Sequence, residues 1–131
     1  MKHILVALLL LISCAACANR REDAIRHMLQ AQVVEWNKGN IAGYMKGYWE
    51  SDSLVFIGKN GPTYGYNATL ERYKKSYPNA EKMGRLTSTI ISMKRLSKKY
   101  YFVVGKRHLE RKDGNLQGSY TLMIKKIRSG W

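Results

Sequence analysis

The chain has 131 residues, which bounds it to one domain with one modest core. Hydrophobic content of 45% with 24% charged residues is ordinary for a folded globular protein, and the formal charge of +14 draws such a protein toward anionic surfaces through a salt-screened field. Its two cysteines, Cys14 and Cys17, lie close together near the start, which excludes a disulfide framework in the body.

Lys2 and His3 precede an uninterrupted apolar run, Ile4 to Ile12. That run is too short for a spanning helix of about 20 residues and has the size of a signal-peptide core. Leu11-Ile12-Ser13-Cys14 then resembles a bacterial lipobox, in which the cysteine thiol takes a diacylglycerol. Cys17, after Ala15-Ala16, is the weaker lipidation candidate, and a general secretory signal with incidental cysteines is the alternative. The expected organisation is a signal peptide over residues 1–13, a tether over 14–21 and one domain over 22–131. The expected location is the cell envelope, lipid-anchored and periplasm-facing or in the outer membrane, with the membrane as a partner through that anchor. Export argues against a nucleic-acid role for the positive charge. Adhesion to anionic envelope components, or a merely solvated surface, is left.

Asn19 can cap a helix with Glu22 at its third position. Ala24, Ile25, Met28, Leu29, Val33 and Trp36 recur at helical spacing, and Gly39 ends that helix. Asn40 caps a second short helix, about 41–48, with Gly43 and Gly47 four apart. Leu54 to Ile57 reads as a strand, and Asn60-Gly61 as a hairpin turn before Thr63-Tyr64. A third helix over about 67–76 closes at Pro78. Strands are then expected over 86–95, 100–111 and 119–128, with a turn at Asp113-Gly114-Asn115. Helices first and hairpin-linked strands last indicate an α+β fold, helices packed on one face of a curved antiparallel sheet. Ser129-Gly130 is a turn signal that makes Trp131 read as the first residue of a further strand. Without that strand Tyr120, Leu122 and Ile124 lie on an open edge, so the chain is expected to be truncated at its C-terminus.

Trp36-Asn37-Lys38-Gly39-Asn40, Tyr44-Met45-Lys46-Gly47-Tyr48-Trp49, Phe56 to Gly61, Gly65-Tyr66 and Arg72-Tyr73-Lys74-Lys75-Ser76-Tyr77-Pro78 stand out, with Leu70, Gly105 and Gly130-Trp131. On these residues the chain resembles the nuclear transport factor 2-like superfamily, specifically its bacterial SnoaL-like branch of short exported proteins of unknown function. The resemblance implies a cone-shaped fold, a strongly curved antiparallel sheet wrapping a helix layer around a pocket, often in a homodimer. It also implies one more strand, contributing Asp and His toward the pocket, that this sequence does not supply.

Enzymes of this fold are usually free of metal and cofactor and move protons with a carboxylate or His beside a Tyr. The weak catalytic candidates here are His108, Glu50 and Tyr120. His108 shares a strand face with Lys106 and Glu110, and works beside Tyr120 only if that face looks inward. Glu50 and Asp52 flank the first strand, where a pocket mouth could lie. His27 sits beside the apolar helix stripe. No metal is expected, because two His with no nearby acid and no Cys in the body do not make a site. The aromatics Trp36, Tyr44, Tyr48, Trp49, Phe56, Tyr66 and Tyr73 are the candidate pocket lining, shared between cavity and core. Whether the protein is an enzyme stays open. The leading reading is an aromatic-lined pocket for a small, partly apolar ligand; the alternatives are a metal-free proton-transfer enzyme of isomerase or cyclase type, and an envelope interaction module.

Overall fold

The computed structural model describes residues 20–131 with their side chains. The signal segment, Cys14, Cys17 and the Asn19 cap lie outside the described residues. Helix α1 (Lys2–Asn37) is followed by α2 (Ile41–Met45), β1 (Val55–Gly58), β2 (Gly61–Tyr64), α3 (Tyr66–Ser76), α4 (Ala80–Met83), β3 (Arg85–Arg95), β4 (Tyr100–Glu110) and β5 (Leu116–Lys125). Arg20 and Arg21 belong to α1.

The turn from α1 to α2 follows from its residues. Gly39 takes φ 77, a left-handed conformation costly for any residue with a Cβ, and its N–H bonds the Trp36 carbonyl at 2.8 Å. Asn40 Oδ1 accepts from the Gly43 N–H at 2.9 Å, capping α2, while Asn40 Nδ2 donates to Glu35 Oε2 at 2.6 Å. Gly43 and Gly47 face α1: a Cβ on either would collide with Glu35 or Gln32. Their spacing lets the two helices approach closely, and Gln32 Nε2 uses that approach to donate to the Tyr44 carbonyl at 2.9 Å.

β1 and β2 form a hairpin across Lys59-Asn60, and β3, β4 and β5 form a separate curved antiparallel sheet in that order. Side chains alternate across it. On β4, Tyr101, Val103, Gly105, Arg107 and Leu109 face the helices; Phe102, Val104, Lys106, His108 and Glu110 face away. A β-bulge between Ile90 and Ser92 inserts a residue, so Leu86, Ser88 and Ile90 face inward before it and Met93 after it.

Several boundaries differ from expectation. α2 stops at Met45, three residues early, as the chain turns through Lys46 and Gly47. β5 runs Leu116–Lys125, not 119–128, because the Asp113 turn closes tightly. Its closure comes from Asn115 Oδ1 accepting from the Arg111 N–H at 3.0 Å. α4 was not expected; Asn79 caps it by accepting from the Lys82 N–H at 2.9 Å. Trp131 starts no strand here. A bridge between Ile127 and Gly130 turns it edge-on to Tyr101, ring centroids 5.2 Å apart.

Two buried clusters fill the space between helices and sheet. One joins Trp36, Met45, Tyr73, Met83 and Leu109; the other joins Ile25, Tyr101, Val103 and Ile124.

Candidate functional site

Between the two clusters the inner face of the sheet changes character. Ser88, Arg107 and Gly118 stand in one cross-strand row, and Ile90, Gly105 and Tyr120 in the next. Gly105 has no side chain for a reason: a Cβ there would run into the Tyr120 ring, which lies flat across the position. Its hydroxyl reaches Ser88 Oγ at 2.8 Å. Arg107 is exposed and has no carboxylate partner among the described residues.

The helices bring a second polar group toward this waist. Tyr44 lies on α2, Tyr48 in the turn that follows it, and Tyr73 on α3. Their hydroxyls form a triangle with sides of 3.0 Å (Tyr48 to Tyr73), 3.4 Å (Tyr44 to Tyr48) and 3.4 Å (Tyr44 to Tyr73). The rings meet edge to face, with Trp36 against Tyr44 at 5.0 Å and Phe56 against Tyr73 at 5.5 Å. Trp36 fixes the cluster by donating from Nε1 to the Met83 carbonyl at 3.2 Å.

Burial pushes the Tyr48 phenol well above its ordinary range, and the neighbouring Tyr44 and Tyr73 push it further. Burial likewise raises Tyr73, with Tyr44 adding to it; the Tyr48 hydrogen bond and then the Arg107 guanidinium pull the other way. At neutral pH the Tyr48 and Tyr73 hydroxyls therefore carry their protons. A closed ring of three hydroxyls satisfies itself, and any of them can redirect its proton to an incoming acceptor.

The seven expected pocket aromatics divide. Trp36, Tyr44, Tyr48, Phe56, Tyr66 and Tyr73 meet in the first cluster, with Trp36 and Tyr73 buried. Tyr66 is raised by burial and then by the Glu50 carboxylate. Trp49 stands apart, its ring 3.9 Å from Lys125 Nζ. The catalytic candidates are not brought together. Tyr120 faces the helices, whereas His108 faces outward between Thr87 and Gln117. There it lines a concavity of about 480 Å³ with Thr87, Thr89, Lys106 and Ser119, to which Arg107 and Gly118 of the opposite-facing row also contribute. Glu50 is exposed at the turn before β1. Among the described residues no three His, Cys, Asp or Glu side chains converge as a metal set would. Sequence reasoning passed over Ser88 and Arg107. Arg107 was detectable as the one cation in the otherwise apolar alternation Tyr101, Val103, Gly105, Arg107, Leu109.

No family model matches the sequence, and no curated protein matches it. Solved structures do. The chain is similar to an NTF-2 like protein of unknown function from Shewanella oneidensis MR-1, at 37% identity and a TM-score of 0.80, over 84% of this chain and 91% of that one. It shares its fold with a domain of unknown function with a cystatin-like fold from Nostoc punctiforme PCC 73102, at 16% identity and a TM-score of 0.70, over 86% and 72% of the two chains. It also shares it with a ketosteroid isomerase-like protein from Erwinia carotovora atroseptica SCRI1043, at 15% identity and a TM-score of 0.62, over 82% and 85%. The α+β architecture, the curved sheet and the Shewanella relative together establish that this chain belongs to the nuclear transport factor 2-like superfamily.

Proposed function

We propose that the protein binds a small, partly apolar molecule against the inner face of the sheet, at the waist between the two clusters. The observation that carries this reading is the pairing of Arg107 with the Ser88–Tyr120 hydroxyl pair on the inner sheet face between the two apolar clusters, with the neutral Tyr48 and Tyr73 phenols on the helix side. A ligand there gains apolar contact on both sides, and a few polar groups fix its orientation. Neutral phenols donate hydrogen bonds, and an unpaired guanidinium favours an anionic or strongly accepting group. Binding is proposed ahead of proton transfer because His108 lies on the opposite face of the sheet and Glu50 is exposed on a turn.

The test uses 1-anilinonaphthalene-8-sulfonate as a partly apolar anionic probe, titrated into the natively folded protein. Saturable binding of one equivalent is expected, about tenfold weaker in Arg107→Met. Unsaturable binding, or equal affinity in the two proteins, refutes the reading.

The run Ile4 to Ile12 and the segment Leu11 to Cys14 support a second part of the proposal, that the domain is held at an envelope membrane by an acyl chain on Cys14. Radiolabelled palmitate should enter the wild type and not Cys14→Ser. Label in neither removes this part alone.

A further inference from the structure

The charge of this protein is not spread evenly. From Leu86 to Leu109 and from Leu116 to Trp131 there is no Asp or Glu. Seven of the nine cations of those segments, all but Lys106 and Arg107, gather at one end of the sheet. Lys94 and Arg95 end β3, and Lys98 and Lys99 occupy the hairpin to β4. Lys125 ends β5 opposite Tyr100, and the Lys126 N–H bonds the Lys99 carbonyl at 2.7 Å, which fastens the last turn, with Arg128, beside that hairpin. Every ion pair among the described residues lies elsewhere, on Glu35, Glu71, Glu81 or Asp113.

The tips of the same two turns are apolar. Leu96 is 49% exposed and Ile127 is 36% exposed. Exposed apolar tips ringed by cations that have no carboxylate partner among the described residues suit an interface between water and anionic headgroups, where apolar side chains enter and cations remain at headgroup level.

The direction of α1 supplies an independent observation. Asn37, at its end, clasps Leu86 at the far end of β3, with Nδ2 to the Leu86 carbonyl at 3.0 Å and the Leu86 N–H to Oδ1 at 2.7 Å. Ile25 packs with Tyr101 and Ile124, beside the basic turns. α1 therefore runs antiparallel to β3, and Arg20 and Arg21 join the basic end, partly offset by Glu22 and Asp23. The apolar run Ile4 to Ile12 precedes this same end in the sequence.

We propose that the Leu96–Lys99 and Lys126–Arg128 turns form a membrane-facing surface that seats the domain on a bilayer rich in anionic lipid. Cations near such a surface each add attraction within a Debye length, and a single acyl chain holds a protein only marginally without a second signal. The proposal rests on the envelope reading for the presence of a bilayer, and not on acylation. Seated this way, the basic end faces the lipid, and the far end of the sheet, with the Asp113 turn, points away from it.

The experiment is flotation of the full chain with vesicles of phosphatidylcholine alone or with 30% phosphatidylglycerol. Binding to neutral vesicles reports the N-terminal apolar run; the excess on anionic vesicles reports the surface. That excess should fall about a hundredfold in Lys98→Glu/Lys99→Glu/Lys126→Glu. It should persist in Lys59→Glu/Lys75→Glu/Lys112→Glu, which carries the same change of charge elsewhere. A salt titration of the wild type, in which 0.5 M NaCl erases the excess, makes the same test without substitution. Equal loss in both triple variants, no excess in the wild type, or displacement of the vesicles by duplex DNA at equal phosphate overturns the proposal.

Discussion

The two buried clusters are built on different principles. The cluster around Trp36 and Tyr73 is aromatic and directional, its rings set edge to face and its polar tips paired. The cluster around Ile25 and Val103 is mostly aliphatic, and its single buried phenol, Tyr101, has no hydrogen-bond partner among the described residues. The first holds positions as well as volume, so it can present hydroxyls in a set arrangement. The second excludes water but presents no paired polar groups. A site that must orient a ligand belongs beside the first kind of packing.

The largest break in that comparison is Trp36→Ala. It removes a buried ring, several edge contacts and the bond to the Met83 carbonyl, and should cost about 3–5 kcal/mol by urea unfolding. Ile25→Val in the second cluster should cost about 0.5–1.5 kcal/mol in the same assay. Hydroxyl deletion sharpens the contrast. Tyr73→Phe breaks two sides of the hydroxyl triangle and should cost about 1 kcal/mol, whereas Tyr101→Phe removes a buried unpaired group and should be neutral or stabilising. A cost for Tyr101→Phe equal to that for Tyr73→Phe would erase the distinction.

The smallest effect is one of pH. The native Tyr48 and Tyr73 phenols keep their protons above the ordinary phenol value of 10.0 that they have when unfolded. Above about pH 10 the native state therefore binds more protons than the unfolded state, and stability falls as pH rises. Urea midpoints between pH 8 and 11 should show that decline, and Tyr48→Phe should flatten it.

Much of the fold was legible in the chain. Gly39 and Asn40 marked the break between α1 and α2, and Gly43 with Gly47 marked a close helix approach. Asn60-Gly61 and Asp113-Gly114-Asn115 marked two hairpins, because their chemistry is local. β5 was misplaced by three residues since its alternation continues through Lys126 to Arg128, and pairing with β4 decides where it stops. The site was harder to read. Alternation put His108 with Lys106 and Glu110 correctly, but it could not say which face met the helices.

The sequence by itself therefore determined most of the elements and turns and pointed to the family, since caps, periodicity and glycine conformations act over a few residues. Only the tertiary structure decided that Tyr44, Tyr48 and Tyr73 meet at their hydroxyls, that Tyr120 and His108 part to opposite faces, and that Arg107 lies on the face turned to the helices. Those outcomes depend on cross-strand register and on helix packing across distant segments.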